Sequence, residues 1–261
     1  MNEVNRTLFI PLYGKSKVSK QKIILNDPDA EMIWEAEGFP VSGKSASKWL
    51  AYNMAMRARV FDDWTDSMLE QDPEALVLHV GCGLDSRCRR VKQPYTLWCD
   101  CDFPDVIEAR RQYYEETDRY QMKAVDASDP RQVRSLPDSD AAIVVLEGLC
   151  MYLTAEQLHG FFRALQDKYQ KLYVLMDVYT EFGARTSRYG NPVNDVGVSQ
   201  VYGIDDPSKI LEGLQIRFVG EHSFTPEALV SELRLSERAF FKLLFTDRTY
   251  RKYYRLYELE K

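Results

Sequence analysis

The residues in this chain best placed to do chemistry are glycines and carboxylates at the ends of apolar runs. "VLHVGCGLDSR", residues 77–87, closes an apolar run on Gly81 and Gly83, with Asp85 just beyond. Glycines at the end of a strand let a ligand approach the backbone closely. About twenty residues on, "LWCDCDFPD" ends its own run on Asp102, where a carboxylate can accept both hydroxyls of a ribose. A Gly-x-Gly pair alone is weak; joined to Asp102 it points to an adenosine-type ligand. Asp126 in "KAVDAS" and Glu147 in "VVLEGLCMYL" close two later runs. Asp126 has an alternative role as the cap of a following helix. Glu147 interrupts a nearly all-apolar stretch, and a carboxylate buried there requires a positive or hydrogen-bonding partner.

Charge separates the adenosine ligands from one another. A dinucleotide sets its pyrophosphate at a helix N-terminus behind a third glycine. Here Ser86 stands in that glycine's place and Asp85 lies where the pyrophosphate would sit, so the turn would repel it. S-adenosylmethionine has no phosphate, and its sulfonium and ammonium tolerate nearby carboxylates. The turn therefore fits S-adenosylmethionine better than NAD.

The elements that must hold these residues are legible in outline. "SASKWLAYNMAMRARVFDDWTDSMLEQDP" spaces Trp49, Tyr52, Met56, Val60, Trp64 and Met68 as one helix face that ends at Asp72-Pro73. From Leu76 the runs "LVLHV", "YTLWC", "QMKAV", "AAIVVL", "KLYVLMD", "QIRFVG" and "YYRLYEL" alternate with helical stretches. This is the pattern of an α/β, doubly wound, mostly parallel sheet covered on both faces. Pro104 and Pro226 open helices, and Thr154 with Gln157 forms a capping box. The expected organisation is a single domain: a helical cap over residues 1–73, a cofactor core over 74–178, a substrate lid over 179–212 and a completing segment over 213–261. The lid is rich in Gly and Tyr and too long for an ordinary connection.

Composition narrows the partners. A net charge of -6 over 261 residues gives no pull toward nucleic acid or anionic membrane. "RTYRKYYRLYELEK" mixes basic and aromatic residues, as RNA sites do, but its alternation reads as the last strand. No apolar run approaches a membrane span or an export signal, so the chain reads as cytoplasmic. Five cysteines (Cys82, Cys88, Cys99, Cys101, Cys150) are odd in number and lack C-x-x-C spacing. They read as buried thiols, with neither disulfides nor a metal expected.

"VLHVGCGLDSRCRRV", "WCDCDFPDVIEARR", "VDASD" and "EGLCMYLTAEQL", with "PLYGKSKVSKQKIILNDPDAEMI" and "RARVFDD" before them, resemble the leucine carboxyl methyltransferase family, especially its bacterial polyketide O-methyltransferase (tetracenomycin-type) branch. The likeness spans roughly residues 8–180. It implies a Rossmann-like, seven-stranded class I methyltransferase fold and an S-adenosylmethionine cofactor released as S-adenosylhomocysteine. By the same resemblance Gly81 and Gly83 underlie the cofactor's amino-acid end, and Lys15 and Arg59 reach its carboxylate. Asp102 takes the ribose, Asp126 and Ala127 flank the adenine, and Glu147 lies beside the cofactor. For Arg59 the residues alone also allow an exposed ion pair with Asp62 or Asp63.

A carboxylate acceptor is already ionised at neutral pH, whereas a phenol or enol wants a base. His79, His159 and His222 each read as structural, which mildly favours an acidic acceptor. Tyr152, Arg185 and Tyr189, with Tyr179, Arg188 and Tyr202, are the candidates at the acceptor. The expected function is O-methylation of a carboxylate or hydroxyl on a polyketide-like small molecule. The alternatives are a peptide C-terminal carboxylate as acceptor, or a catalytically silent cofactor-binding module.

Overall fold

The computed structural model describes residues 8–39, 43–187 and 200–261. Three helices come first: α1 (Phe9–Gln21), α2 (Pro28–Glu37) and α3 (Lys48–Gln71). Asp27 caps α2 by accepting a hydrogen bond from the Ala30 amide at 2.9 Å, ahead of the proline that starts the helix. α3 buries more than the single stripe its spacing predicts. Residues 51–58 are all buried, because α1 packs on one side of α3 and the sheet on the other.

The strands and their helices follow: β1 (Leu76–Val80), α4 (Arg87–Arg90), β2 (Trp98–Asp102), α5 (Pro104–Arg110), β3 (Tyr120–Ala124), α6 (Pro130–Arg134), β4 (Ala141–Leu146), α7 (Ala155–Lys168), β5 (Lys171–Tyr179), α8 (Glu181–Ser187), β6 (Arg217–His222), α9 (Glu227–Val230), α10 (Leu235–Phe245), α11 (Asp247–Tyr250) and β7 (Tyr254–Glu260). The seven strands form one sheet in the order β3-β2-β1-β4-β5-β7-β6. β1 to β5 pair in parallel, and β7 runs antiparallel between β5 and β6. Both faces of the parallel part are covered. Val77, Ile143 and Leu175 pack with Phe61 of α3, while Leu78, Val144 and Val174 pack with Phe161 and Phe162 of α7.

β2 begins three residues later than "YTLWC" suggests, at Trp98. Tyr95 is diverted from the ladder: its hydroxyl donates to the Cys88 carbonyl at 3.2 Å and its ring packs on Trp98. Asp102 is the last residue of β2, at the end of the run where the sequence puts it. Strand order reverses at β1, which lies between β2 and β4. The crevice at the carboxyl ends of such strands is where open α/β sheets bind ligands. Of the expected lid, Tyr179 still belongs to β5 and α8 follows directly; residues 188–199 lie outside the described residues. Among the described residues no helix is long and apolar enough to cross a membrane.

Candidate active site

The turn after β1 is built for close approach. Gly81 and Gly83 have φ of +72° and +53°, a region that costs other L-residues energy. A side chain at Gly81 would also press on Leu149. The amides of Gly81 and Cys82 both donate to the Cys101 carbonyl, at 2.8 and 3.1 Å, pinning the turn to β2. Asp102 closes it from the other side, accepting from the Gly83 and Phe103 amides at 2.8 Å each. Burial pushes its carboxyl up to about 6, against the pull of those two amides. Cys82 is buried between the glycines, and burial raises its thiol well above the ordinary range. It is a small space-filling residue, not a nucleophile.

Beneath the turn lies a continuous network of buried charges. Lys15, from α1, pairs with Asp85. Asp85 also meets Arg90 at 3.0 Å, and Arg90 reaches Asp62 and Asp27 at 2.7 Å each. Arg87 binds Asp62 at 2.7 Å and also Glu147. Arg57, from α3, bridges Glu147 and Asp177 at 2.9 Å each and donates to the Tyr254 hydroxyl at 3.0 Å. Burial alone would raise the carboxyls of Asp85, Glu147 and Asp177. For Glu147 the neighbouring Arg57 and Arg87 win and bring it down to about 2; Arg90, Lys15 and Arg87 likewise hold Asp85 well below the usual range. Asp177 goes the other way, because burial outweighs Arg57 and Tyr254.

Two cavities meet over this network. The larger, of about 610 Å³, is lined by Lys15, Arg57, Gly81, Gly83, Asp85, Asp102 and Glu147 at one end. Its other walls are Leu50, Met54, Met151, Tyr179, Phe245, Tyr250, Tyr253 and Tyr254. The smaller, of about 200 Å³, is lined by Val125, Asp126, Ala127, Leu153 and Gln157. Gly81, Asp102, Phe103, Leu149 and Tyr152 line both. Of the residues singled out from sequence, Lys15, Gly81, Gly83, Asp102, Asp126, Ala127, Glu147, Tyr152 and Tyr179 are thus brought together.

Three expected residues, Arg59, Arg185 and Tyr202, are placed away from the cavities, and two more lie outside the described residues. Arg59 does not line either cavity; it pairs with Asp63 at 2.8 Å on the half-exposed face of α3 and donates to the Ile24 carbonyl. Residues two positions apart on a helix point about 200° apart around its axis, so Arg57, not Arg59, faces the site, on the stripe of Leu50 and Met54. Arg185 is exposed on α8, where Gly183, Thr186 and Ser187 face inward. Tyr202 lines neither cavity; its hydroxyl accepts from Gln200. Tyr189 and Arg188 lie outside the described residues. Sequence reasoning missed Arg57, Arg87, Asp177, Tyr250 and Tyr254. The helical stripe of Leu50, Met54 and Arg57 was the readable signal for the first; Asp177, closing the apolar run "KLYVLMD", was readable as Glu147 was.

The arrangement brings a mixed-sign cluster, the Asp102 carboxylate and an apolar, aromatic wall to one cavity. The buried pairs Lys15–Asp85 and Arg57–Glu147 present both signs of charge to one end of the larger cavity, which suits a zwitterionic amino-acid group. Asp102 lines both cavities, and the smaller one has a volume of about 200 Å³. Among the described residues no group of His, Cys, Asp or Glu is placed to hold a metal ion.

Comparison with known proteins gives the family and the fold. The family profile for leucine carboxyl methyltransferase matches residues 15–166, more than half of the chain. The tetracenomycin polyketide synthesis O-methyltransferase TcmP of Streptomyces glaucescens is 29% identical over 239 residues, covering 90% of this chain and 88% of that protein. The S-adenosyl-L-methionine-dependent methyltransferase dpfgK of Gibberella zeae is 27% identical, over 81% of this chain and 80% of that protein. In structure, the magnesium protoporphyrin IX methyltransferase ChlM of Synechocystis PCC 6803, solved with bound SAH, superposes with a TM-score of 0.52 at 12% identity, covering 90% of this chain and 93% of that chain. That likeness is one of fold.

Proposed function

The chain belongs to the leucine carboxyl methyltransferase family and is an S-adenosylmethionine-dependent O-methyltransferase; on that premise we propose that its acceptor is a hydroxyl on a flat, largely apolar small molecule of the polyketide type. The observation that carries this is the acceptor wall. Leu50, Met54, Tyr179, Phe245, Tyr250 and Tyr253 make it apolar and aromatic. The only Lys or Arg among the described lining residues, Lys15 and Arg57, are already paired with Asp85, Glu147 and Asp177. Among the described lining residues no further Lys or Arg is left to grip an acceptor carboxylate, and the aromatic faces suit a planar ring system.

In this reading Lys15 and Arg57 face the cofactor's carboxylate, Asp85 and Glu147 its ammonium, Asp102 its ribose, and Asp126 and Ala127 its adenine. When bound, S-adenosylmethionine supplies a methyl group on a sulfonium, a leaving group that needs no proton. The chain's own part is to position the acceptor oxygen and keep water from it, for which the larger cavity offers an apolar and aromatic lining. The test is a panel of phenolic and carboxylic aromatic acceptors incubated with methyl-labelled S-adenosylmethionine. Label that survives mild alkali is an ether and supports a hydroxyl acceptor. Label released by alkali is an ester and overturns that choice.

A further inference from the structure

A neutral hydroxyl sheds a proton when its oxygen takes the methyl group, and no histidine stands ready to receive it. His79 has Nε2 3.1 Å from Arg87 and Nδ1 3.2 Å from Asp100, so both ring nitrogens face committed charges. His159 binds the Ile210 carbonyl, and His222 binds Glu258; neither lines a cavity.

We propose that Tyr254 and Asp177 are the proton-accepting pair for the acceptor hydroxyl, Tyr254 touching the acceptor and Asp177 acting behind it as a positioning and proton-storing residue. This rests on the hydroxyl-acceptor reading. Tyr254 lines the larger cavity. Its hydroxyl donates to Asp177 Oδ2 at 2.6 Å and accepts from Arg57 Nη1 at 3.0 Å. A phenolic O–H both donates and accepts, so the acceptor's own O–H would be taken up on the accepting side of Tyr254 Oη, beside or in place of the Arg57 bond. Asp177 is fully buried near the end of β5. It is faced by Arg57 of α3, by the Gly148 amide at 2.6 Å beyond β4 and by Tyr254 of β7, with Glu147 and Tyr250 also near enough to act on the site's charges. Burial raises its carboxyl, which makes it the member of the network most ready to take a proton.

The step balances. The acceptor O–H proton moves to Tyr254 Oη as the Tyr254 proton moves to Asp177 Oδ2; the acceptor oxygen's pair forms the new C–O bond, and the pair of the broken C–S bond stays on sulfur. The charge count of the buried network fits the same step. Asp27, Asp62, Asp85, Glu147 and Asp177 are five carboxylates against four cations, Lys15, Arg57, Arg87 and Arg90. A cofactor of net charge +1 balances that excess. Once its positive charge is lost with the methyl group, a proton on Asp177 restores the balance.

Tyr254→Phe keeps the ring between Tyr179 and Phe224 and removes the relay oxygen. With a weakly acidic phenol its kcat falls by about a hundredfold, while a nitrophenol already ionised at the assay pH keeps its rate and S-adenosylhomocysteine affinity is retained. A readout independent of turnover comes from calorimetric titration in buffers of different ionisation enthalpy. The wild-type chain takes up more protons on binding S-adenosylhomocysteine than on binding S-adenosylmethionine, and Asp177→Asn abolishes the difference. Equal slowing of both phenols, an unchanged kcat, or equal proton uptake for the two ligands overturns the pair. A wild-type chain that binds S-adenosylhomocysteine but methylates only carboxylates overturns the hydroxyl reading itself, and the pair with it.

Discussion

Asp102 does two jobs that oppose each other in pH. It ties the Gly83 and Phe103 amides together, and in the proposed cradle its ionised form accepts the ribose. Because burial lifts its carboxyl to about 6, affinity for S-adenosylhomocysteine falls as pH drops from neutral through about 6, and Asp102→Asn removes that pH dependence in a titration series. Asp102→Ala weakens binding at pH 7.5 by about 1.5 to 3 kcal/mol, roughly ten- to a hundredfold. Stability follows the opposite sign. The folded chain holds this proton more tightly than the unfolded chain, so the contribution is fully present below the ordinary carboxylate range and is lost as pH rises through about 6. Melting curves of wild type and Asp102→Asn at pH 5 and 7 check it. The neighbouring contrast is Arg57 against Arg59. Arg57→Ala leaves the buried Asp177 without its cation and Glu147 with Arg87 alone, and destabilises by about 3 to 5 kcal/mol, whereas Arg59→Ala removes a half-exposed pair worth at most about 1 kcal/mol and leaves cofactor affinity unchanged. Denaturant unfolding separates the two. Charge type at strand ends made Asp102 and Glu147 legible in the sequence; which of two nearby arginines faces inward depends on helix phase, and that was settled by α3 packing between α1 and the sheet.

The elements differ in how directly local chemistry specifies them. α7 was legible from Thr154 and Gln157, whose reciprocal capping bonds are present, and Gln157 also lines the smaller cavity. Thr154→Ala costs about 1 kcal/mol and lowers the melting temperature by a few degrees. α8 was not legible, because its place is set by a distant segment. A side chain at Gly183 would overlap the Tyr253 carbonyl, so α8 can approach the α11 to β7 connection only through a glycine. Gly183→Ala forces the two apart, raises the acceptor KM several-fold and leaves S-adenosylhomocysteine affinity intact, since Gly183 and Tyr253 line the acceptor side of the cavity. Steady-state kinetics beside a binding titration distinguish this from general misfolding, which would lower both. The late start of β2 belongs here too, because the Tyr95 bond to the Cys88 carbonyl is made across a turn that the run of apolar residues does not reveal.

At the scale of the molecule, the parallel sheet was readable from alternating strand and helix texture, and the reversal at β1 then fixes where the cradle lies. The acceptor wall was not readable, because it is assembled from Leu50 and Met54, from Tyr179 and α8, and from Phe245 to Tyr254, segments far apart in the chain. The antiparallel β7 brings the last of these beside β5 and delivers Tyr254 to Asp177. The central claim is that the paired cavities hold a sulfonium nucleoside with an amino-acid end, not a dinucleotide. Calorimetric titration of the purified chain with S-adenosylhomocysteine and, separately, with NAD tests it most directly. The expected result is one saturable S-adenosylhomocysteine site per chain, abolished or strongly weakened by Asp102→Ala, with no heat from NAD. Saturable NAD binding with no response to S-adenosylhomocysteine would contradict it.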